Sequence, residues 1–212
     1  MEFRNVEYKE GKNLIVVGIT GIFGSGKTTV GKIFQKAGIP YFSLDTIVHN
    51  LFKEEDVINQ IKDLFGAGII KEGKPDRKAI AKIVFADRCC KKKLEGIIHP
   101  LVFNRLRKII LDWRKKGGII VFEIPLLFET KSESLFDKIL VVSTSYEKII
   151  SRLKRRFSPD EINSRLANQI PLSEKEKKAT YVISNSDSVS KTTVQVKKII
   201  RELQKELINS QN

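Results

Sequence analysis

At 212 residues, with 41% hydrophobic and 30% charged side chains, the chain has room for one α/β domain with a substantial core, or for such a domain with a small insert. No run is apolar enough to span a bilayer, and the opening MEFRNVEYKEGKN lacks the hydrophobic centre of a signal peptide. The net charge of +14 raises a nucleic-acid reading, but KKK (91–93), RKK (114–116) and RLKRR (152–156) are not interleaved with stacking aromatics, and no recognition motif accompanies them. Solvated helix faces account for most of these lysines.

Residues 1–13 are expected to form a frayed extension. Leu14 to Ile19 then forms an apolar, β-branched run, the composition of a strand buried on both faces of a parallel sheet. Thr20 to Gly26 follows with three glycines, which let the backbone curl with its N–H groups directed at an anion. From Lys27 the period becomes helical, with Val30, Ile33, Phe34 and Ala37 on one face and Gly38 as the stop. A helix starting there sets free amides and a partial positive charge beneath the same anion. This is a phosphate-binding loop for a nucleoside triphosphate, built from Gly21, Ile22, Phe23, Gly24, Ser25, Gly26, Lys27, Thr28 and Thr29. Lys27 is assigned to the β- and γ-phosphates of ATP, and the Thr28 hydroxyl to Mg²⁺.

Next comes IPYFSLD, a short strand ending at Asp45. Residues 54–65 are amphipathic, with Val57, Ile58, Ile61, Leu64 and Phe65 on one side. A helix follows Asp76, and two more cover 88–98 and 101–116, the last ending at Gly117 and Gly118. The adjacent Cys89 and Cys90 are poorly placed to cross-link distant segments and lack metal-ligand spacing, so a reducing cytoplasm is the simplest compartment. GIIVFEIP (118–125) and DKILVVST (137–144) return to strand, the first with Glu123 at its carboxyl end. Thr144 to Glu147 reads as a capping box, and SPDE (158–161) as another with Pro159 at the first helical position. TYVIS (180–184) leads into Asn185, and a helix over 190–208 finishes the pattern.

Alternating strands and helices predict a P-loop α/β fold, a parallel five-stranded sheet with helices on both faces and ligands at the strands' carboxyl ends. Gly21, Asp45, Glu123 and Asn185 all follow such ends and are expected to converge on one crevice. A GTP-binding switch is disfavoured. Its base-reading [NT]-K-x-D is represented only by TKSE (130–133), and DLFG (63–66) sits on an amphipathic helix. A motor or transporter ATPase is disfavoured by the short chain and by IPLLFE after Glu123 in place of a second acid.

GITGIFGSGKTTV, SLDTIVHNLF, IIHPLV, FEIPLLFET, RLKRRFSPDEINSRLANQIPLSEK and YVISNS stand in the order and rough spacing of dephospho-coenzyme A kinases, a family the chain resembles from about Leu14 to the last helix. The resemblance implies ATP- and Mg²⁺-dependent phosphorylation of the ribose 3′-hydroxyl of dephospho-coenzyme A. It also implies a core (14–45, 118–149 and 176–212), a helical coenzyme A-binding region (46–117) and a lid (150–175). Another small-molecule or nucleoside monophosphate kinase is the runner-up, and a basic nucleic-acid-binding ATPase is the alternative of a different class. No nucleic acid or membrane partner is expected, and the chain is expected to be a monomer or a weak homo-oligomer.

A hydroxyl acceptor needs a carboxylate to take its proton, and Asp45 is the candidate. It matches the second acidic position of the family's frequent D-x-D, whose first position is Ser43 here. The competing reading makes Asp45 the cap of a helix beginning at Thr46. Arg152 and Arg156, four apart and so expected on one helical face, match the family's R-L-x-x-R and are assigned to charge on the transferred phosphoryl group. Arg165 matches a further arginine on the substrate side. Glu123 is expected to hold a water on the metal, and Asn185 resembles an adenine-side asparagine, although Ala179–Thr180 departs from the family's A-D. His99 is assigned to a helix junction or substrate contact, and Pro125, Leu126, Leu127, Phe128 and Glu129 to an apolar wall with one acid for a bulky acceptor.

Overall fold

The computed structural model describes residues 13–209, so the expected extension lies, apart from Asn13, outside the described residues. Those residues divide into two compact units, one taking the chain up to Ser43 and again from Asp112 onward, the other Leu44–Leu111.

The first unit is organised by β1 (Leu14–Thr20), whose residues are buried from Ile15 onward. That burial follows from its central place in a five-stranded sheet, ordered β2-β5-β1-β6-β7. The other strands are β2 (Tyr41–Ser43), β5 (Gly118–Glu123), β6 (Lys138–Ser143) and β7 (Tyr181–Ser184), and every pairing is parallel. Helices α1 (Lys27–Lys36) and α9 (Val189–Asn209) cover one face. Val30 and Phe34 from α1 and Val196, Ile200 and Leu203 from α9 join Val17, Ile19, Val121, Leu140 and Ile183 in one cluster. On the opposite face Gly18 lets Leu127 and Phe136 lie flush on β1, since an added Cβ would come within 2.8 Å of Leu127 Cδ1 and 2.9 Å of Phe136 Cγ. The remaining helices of this unit are α6 (Tyr146–Leu153), α7 (Pro159–Ala167) and the short α8 (Leu172–Lys177).

The second unit holds α2 (Leu44–Leu51), α3 (Glu55–Phe65), a two-stranded ribbon of β3 (Ile70–Lys71) and β4 (Lys74–Pro75), α4 (Arg77–Ala86) and most of α5 (Arg88–Arg114). Its ribbon turns through Glu72 and Gly73, both at positive φ, 50° and 72°. Asp76 caps α4 by accepting from the Lys78 and Ala79 amides at 3.0 and 3.1 Å.

Four local expectations need correction. The strand IPYFSLD stops at Ser43, and Asp45 already lies in the first turn of α2, because Ile47 and Leu51, one helical turn apart, are both buried. The helices expected at 88–98 and 101–116 are one, running through Pro100, and Ile98, Val102, Leu106 and Ile110 form a buried four-residue repeat across the proline. Thr144 opens no capping box: Ser145 is the N-cap, its side chain bonding no helix amide, and the Thr144 hydroxyl donates to the Asn185 carbonyl at 3.3 Å. Arg152 and Arg156 do not share a helix, since α6 ends at Leu153 and the chain turns so that Leu153 and Phe157 both meet the cluster around Ile149 and Ile162. The box at Ser158–Glu161 is present, with both reciprocal bonds.

Candidate active site

The loop between β1 and α1 is held open by two glycines that no other residue replaces. Gly26, the N-cap of α1, has φ +95°, and a Cβ there would fall 2.0 Å from Asn185 Nδ2. Gly21 has φ +149°, and its Cβ would meet the Val142 carbonyl at 2.6 Å. No side chain caps α1 and no acid occupies its first turn, so its amides and dipole act on whatever anion the loop receives. Lys27, buried at 8% exposure, donates from Nζ to the Gly21 and Ile22 carbonyls at 3.2 and 3.0 Å. Its ammonium therefore lies along the inner rim of the loop.

Glu123 stands at the carboxyl end of β5 with 4% exposure. The Thr28 hydroxyl donates to its Oε1 at 2.9 Å, and the Tyr41 hydroxyl donates to its Oε2. Both donors are neutral, and a buried carboxylate of this kind is balanced best by a cation. A hydroxyl that gives its proton to Glu123 also keeps its lone pairs for such an ion, so Thr28 and Glu123 fit Mg²⁺ chemically.

The outer side of the loop is clamped through its carbonyls. Arg152 donates from Nη1 to Gly24 O and Ser25 O at 3.4 and 3.3 Å, and from Nη2 to Asn185 O at 2.5 Å. Asn185 Nδ2 donates to Ser25 O at 2.8 Å, and the Thr192 hydroxyl fixes the amide by donating to its Oδ1 at 2.9 Å. At the tip, the Phe23 amide donates to Gln169 Oε1 at 2.7 Å. The Phe23 ring meets Phe157 edge-on at 5.3 Å, and the Arg165 guanidinium lies 5.0 and 4.5 Å from these two ring centroids. Arg156 is exposed, 5.6 Å from the Phe157 centroid.

Thus the structure brings together the loop, Glu123, Asn185 and Arg152, with Arg165 at the loop's tip. Thr29 follows in the first turn of α1, half-buried. Of the segment after β5, Leu127 and Phe128 are buried at 0% and 4%, while Leu126 is exposed and Pro125 O accepts from the Thr20 hydroxyl at 3.4 Å. Glu129 is engaged inside the protein: its Oε1 accepts from the Ile170 amide at 3.0 Å and pairs with the fully buried Lys175 at 2.7 Å. Asp45 and His99 belong to the other unit. Asp45 follows by two residues Ser43, the register partner of Glu123, and His99 is exposed on α5 with its ring edge-on to Phe103 at 6.3 Å. Neither the Tyr41 hydroxyl nor Thr192 carries a signal in the sequence. Gln169 was visible only as a letter of the family resemblance.

The family model for dephospho-CoA kinase matches residues 15–191, which takes in the loop, the helical insert and the α6–α8 region. The chain belongs to the dephospho-CoA kinase family. A dephospho-CoA kinase of Aquifex aeolicus is 36% identical over 190 residues, 88% of this chain and 96% of that one. One from Rhodopseudomonas palustris is 34% identical over 190 residues, 88% of this chain and 94% of that one. Among solved structures, the dephospho-CoA kinase from Campylobacter jejuni superimposes with a TM-score of 0.72 at 29% identity, over 91% of this chain and 98% of that one. Membership of this kinase family excludes neither unit, since the matched stretch runs through both.

Proposed function

We propose that the protein transfers the γ-phosphoryl group of ATP to the ribose 3′-hydroxyl of dephospho-CoA, giving CoA and ADP. The observation that carries this reading is the Thr28 hydroxyl donating to buried Glu123 at the mouth of the glycine loop, within a chain of the dephospho-CoA kinase family. Lys27 exchanges its contacts with the Gly21 and Ile22 carbonyls for the β- and γ-phosphate oxygens. Thr28 and Glu123 would hold Mg²⁺, Glu123 through a water, and the ion would supply positive charge against the phosphates.

Asp45 accepts the proton of the 3′-hydroxyl as its oxygen bonds to the γ-phosphorus and the bond to the β–γ bridging oxygen breaks. What supports this role is its place two residues after Ser43 and its match to the family's second acidic position. Exposed Arg156 meets the charge on the equatorial oxygens, and Arg165 the acceptor's own phosphates. The contacts of Arg152 with loop carbonyls make it a residue that shapes the cradle, beside Asn185 on the adenine side. His99, Pro125, Leu126, Leu127, Phe128 and Glu129 contribute to the acceptor's side, the buried ones by supporting Leu126. No helix among the described residues is long and apolar enough to cross a membrane. We place the protein in the cytoplasm as a monomer or weak homo-oligomer without a nucleic-acid partner.

An acceptor screen by coupled ADP release tests the reading. Purified protein should consume ATP with dephospho-CoA and not with adenylate, uridylate, thymidylate or shikimate. Equal turnover with one of those, or none with dephospho-CoA, overturns it.

A further inference from the structure

Glu123 has one carboxylate oxygen held by Thr28, and that bond alone leaves the group free to swing about its Cγ–Cδ axis. The second oxygen is held by a residue from another strand. Tyr41 starts β2, where it pairs in register with Val121, so its side chain leaves the sheet on the same side as Glu123, one pleat repeat away. Its ring lies flush against α1, and the helix makes room for it: a Cβ on Gly31 would stand 2.1 Å from Tyr41 Cε2 and 2.5 Å from Cζ. Gly31 is buried and three residues after Thr28, on the same helical face. A glycine inside a helix is less favourable than an alanine, so this space is maintained at the helix's expense. The tyrosine hydroxyl then reaches Glu123 Oε2 while Thr28 holds Oε1.

We propose that Tyr41 is a positioning residue of the metal site: its hydroxyl, set by the gap at Gly31, locks the Glu123 carboxylate in the one orientation in which it accepts the Thr28 proton and presents its charge to a divalent cation. The inference rests on the assignment of Thr28 and Glu123 to Mg²⁺ under the proposed function. With both oxygens anchored, the carboxylate loses no rotational freedom when the ion arrives, and the Thr28 lone pairs already face the loop. Partners that orient a ligand in this way set metal affinity as much as the ligands themselves.

Tyr41→Phe removes the hydroxyl and keeps the ring against Gly31. The measurement is the affinity of the full-length protein for ADP by titration calorimetry, once in EDTA and once with Mn²⁺, with Mn²⁺ occupancy followed by electron paramagnetic resonance. Binding in EDTA should match the parent, which also certifies the fold. The gain in affinity contributed by Mn²⁺ should fall by about tenfold, the lower end of what loss of such a partner costs. Gly31→Ala, which displaces the ring and retains the hydroxyl, should reproduce the loss, and the double variant should add nothing to it. A Tyr41→Phe protein that keeps the parent's Mn²⁺ gain overturns the role of Tyr41 alone. A parent whose ADP affinity is indifferent to Mn²⁺ overturns the metal assignment and this proposal with it.

Discussion

Lys175 is the only lysine on α8 without exposure, and its ammonium lies 2.7 Å from Glu129 Oε1. Replacing it with methionine keeps the length of the stem and removes the charge. Glu129 is then left with 17% exposure, one amide bond from Ile170, and an Oε2 that is buried and finds no hydrogen-bond partner among the described residues. Breaking a buried ion pair from one side costs about 3–5 kcal/mol, and the residual exposure of Glu129 puts Lys175→Met near the lower end, about 3 kcal/mol. At about 2–4 °C per kcal/mol for a chain of this size, the midpoint of thermal unfolding should fall by roughly 6–12 °C. Far-UV circular dichroism with a nucleotide-free sample reads this directly.

Removing both charges, as Glu129→Met with Lys175→Met, should recover much of the loss, because an apolar pair of similar volume no longer pays for an uncompensated carboxylate. An unchanged midpoint for Lys175→Met refutes the reasoning, since it would mean that the carboxylate is satisfied without the lysine. A double variant as unstable as the single one also refutes it, by showing that the cost was packing.

Three further outcomes are expected. Asp45→Asn should retain ATP binding while kcat falls by about 10²–10⁴-fold, the range of a lost general base, and turnover within a few-fold of the parent removes Asp45 from that role. Arg152→Ala should weaken ADP binding through the released Gly24 and Ser25 carbonyls, whereas Arg156→Ala should leave ADP binding intact and lower kcat by about 10²–10³-fold; calorimetry beside steady-state kinetics separates the two. The hydrogen bond from Lys71, then the Ala79 amide, hold the Asp76 carboxyl below its ordinary 3.8, so its stabilisation is present above that value and is lost as pH falls through the lower folded one. Asp76→Asn should flatten the acid limb of a stability-against-pH curve, and an unaltered limb would exclude Asp76 as its source.

The sheet and the loop were legible because their signals are local. Leu14–Ile19 has no polar residue, the glycines lie at fixed offsets, and Lys27 starts a clear helical period. The continuous α5 was not legible, because Pro100 is a strong local stop signal and only the burial of Ile98, Val102, Leu106 and Ile110 overrides it. The end of β2 has a similar cause: the last strand pairing, Ser43 with Glu123, and the burial of Ile47 and Leu51 that starts α2 at Leu44 are both tertiary. Thr144 and Arg152 fail as local patterns because each answers to Asn185, 41 and 33 residues away in the chain, and pairing at that distance leaves no periodic trace.

These long-range bonds explain why the loop needs so much support from outside itself. A glycine-rich backbone loses more conformational entropy on ordering than any other, and nothing within residues 21–26 besides the Ser25 amide's bond to Ile22 O at 3.2 Å restrains it locally. Beyond the Lys27 ammonium, which donates to the Gly21 and Ile22 carbonyls, three separate segments supply the remainder. Arg152 at the end of α6 and Asn185 after β7 take the carbonyls, and Gln169 between α7 and α8 takes the Phe23 amide. The residue next to Gln169 donates its amide to Glu129, and Lys175, five residues further, closes the ion pair with the same carboxylate. One short segment, 169–175, therefore ties the rim of the phosphate loop to the stretch that follows β5. The ion pair tested above is a restraint on the loop as much as on α8, and its removal should loosen nucleotide binding in step with stability.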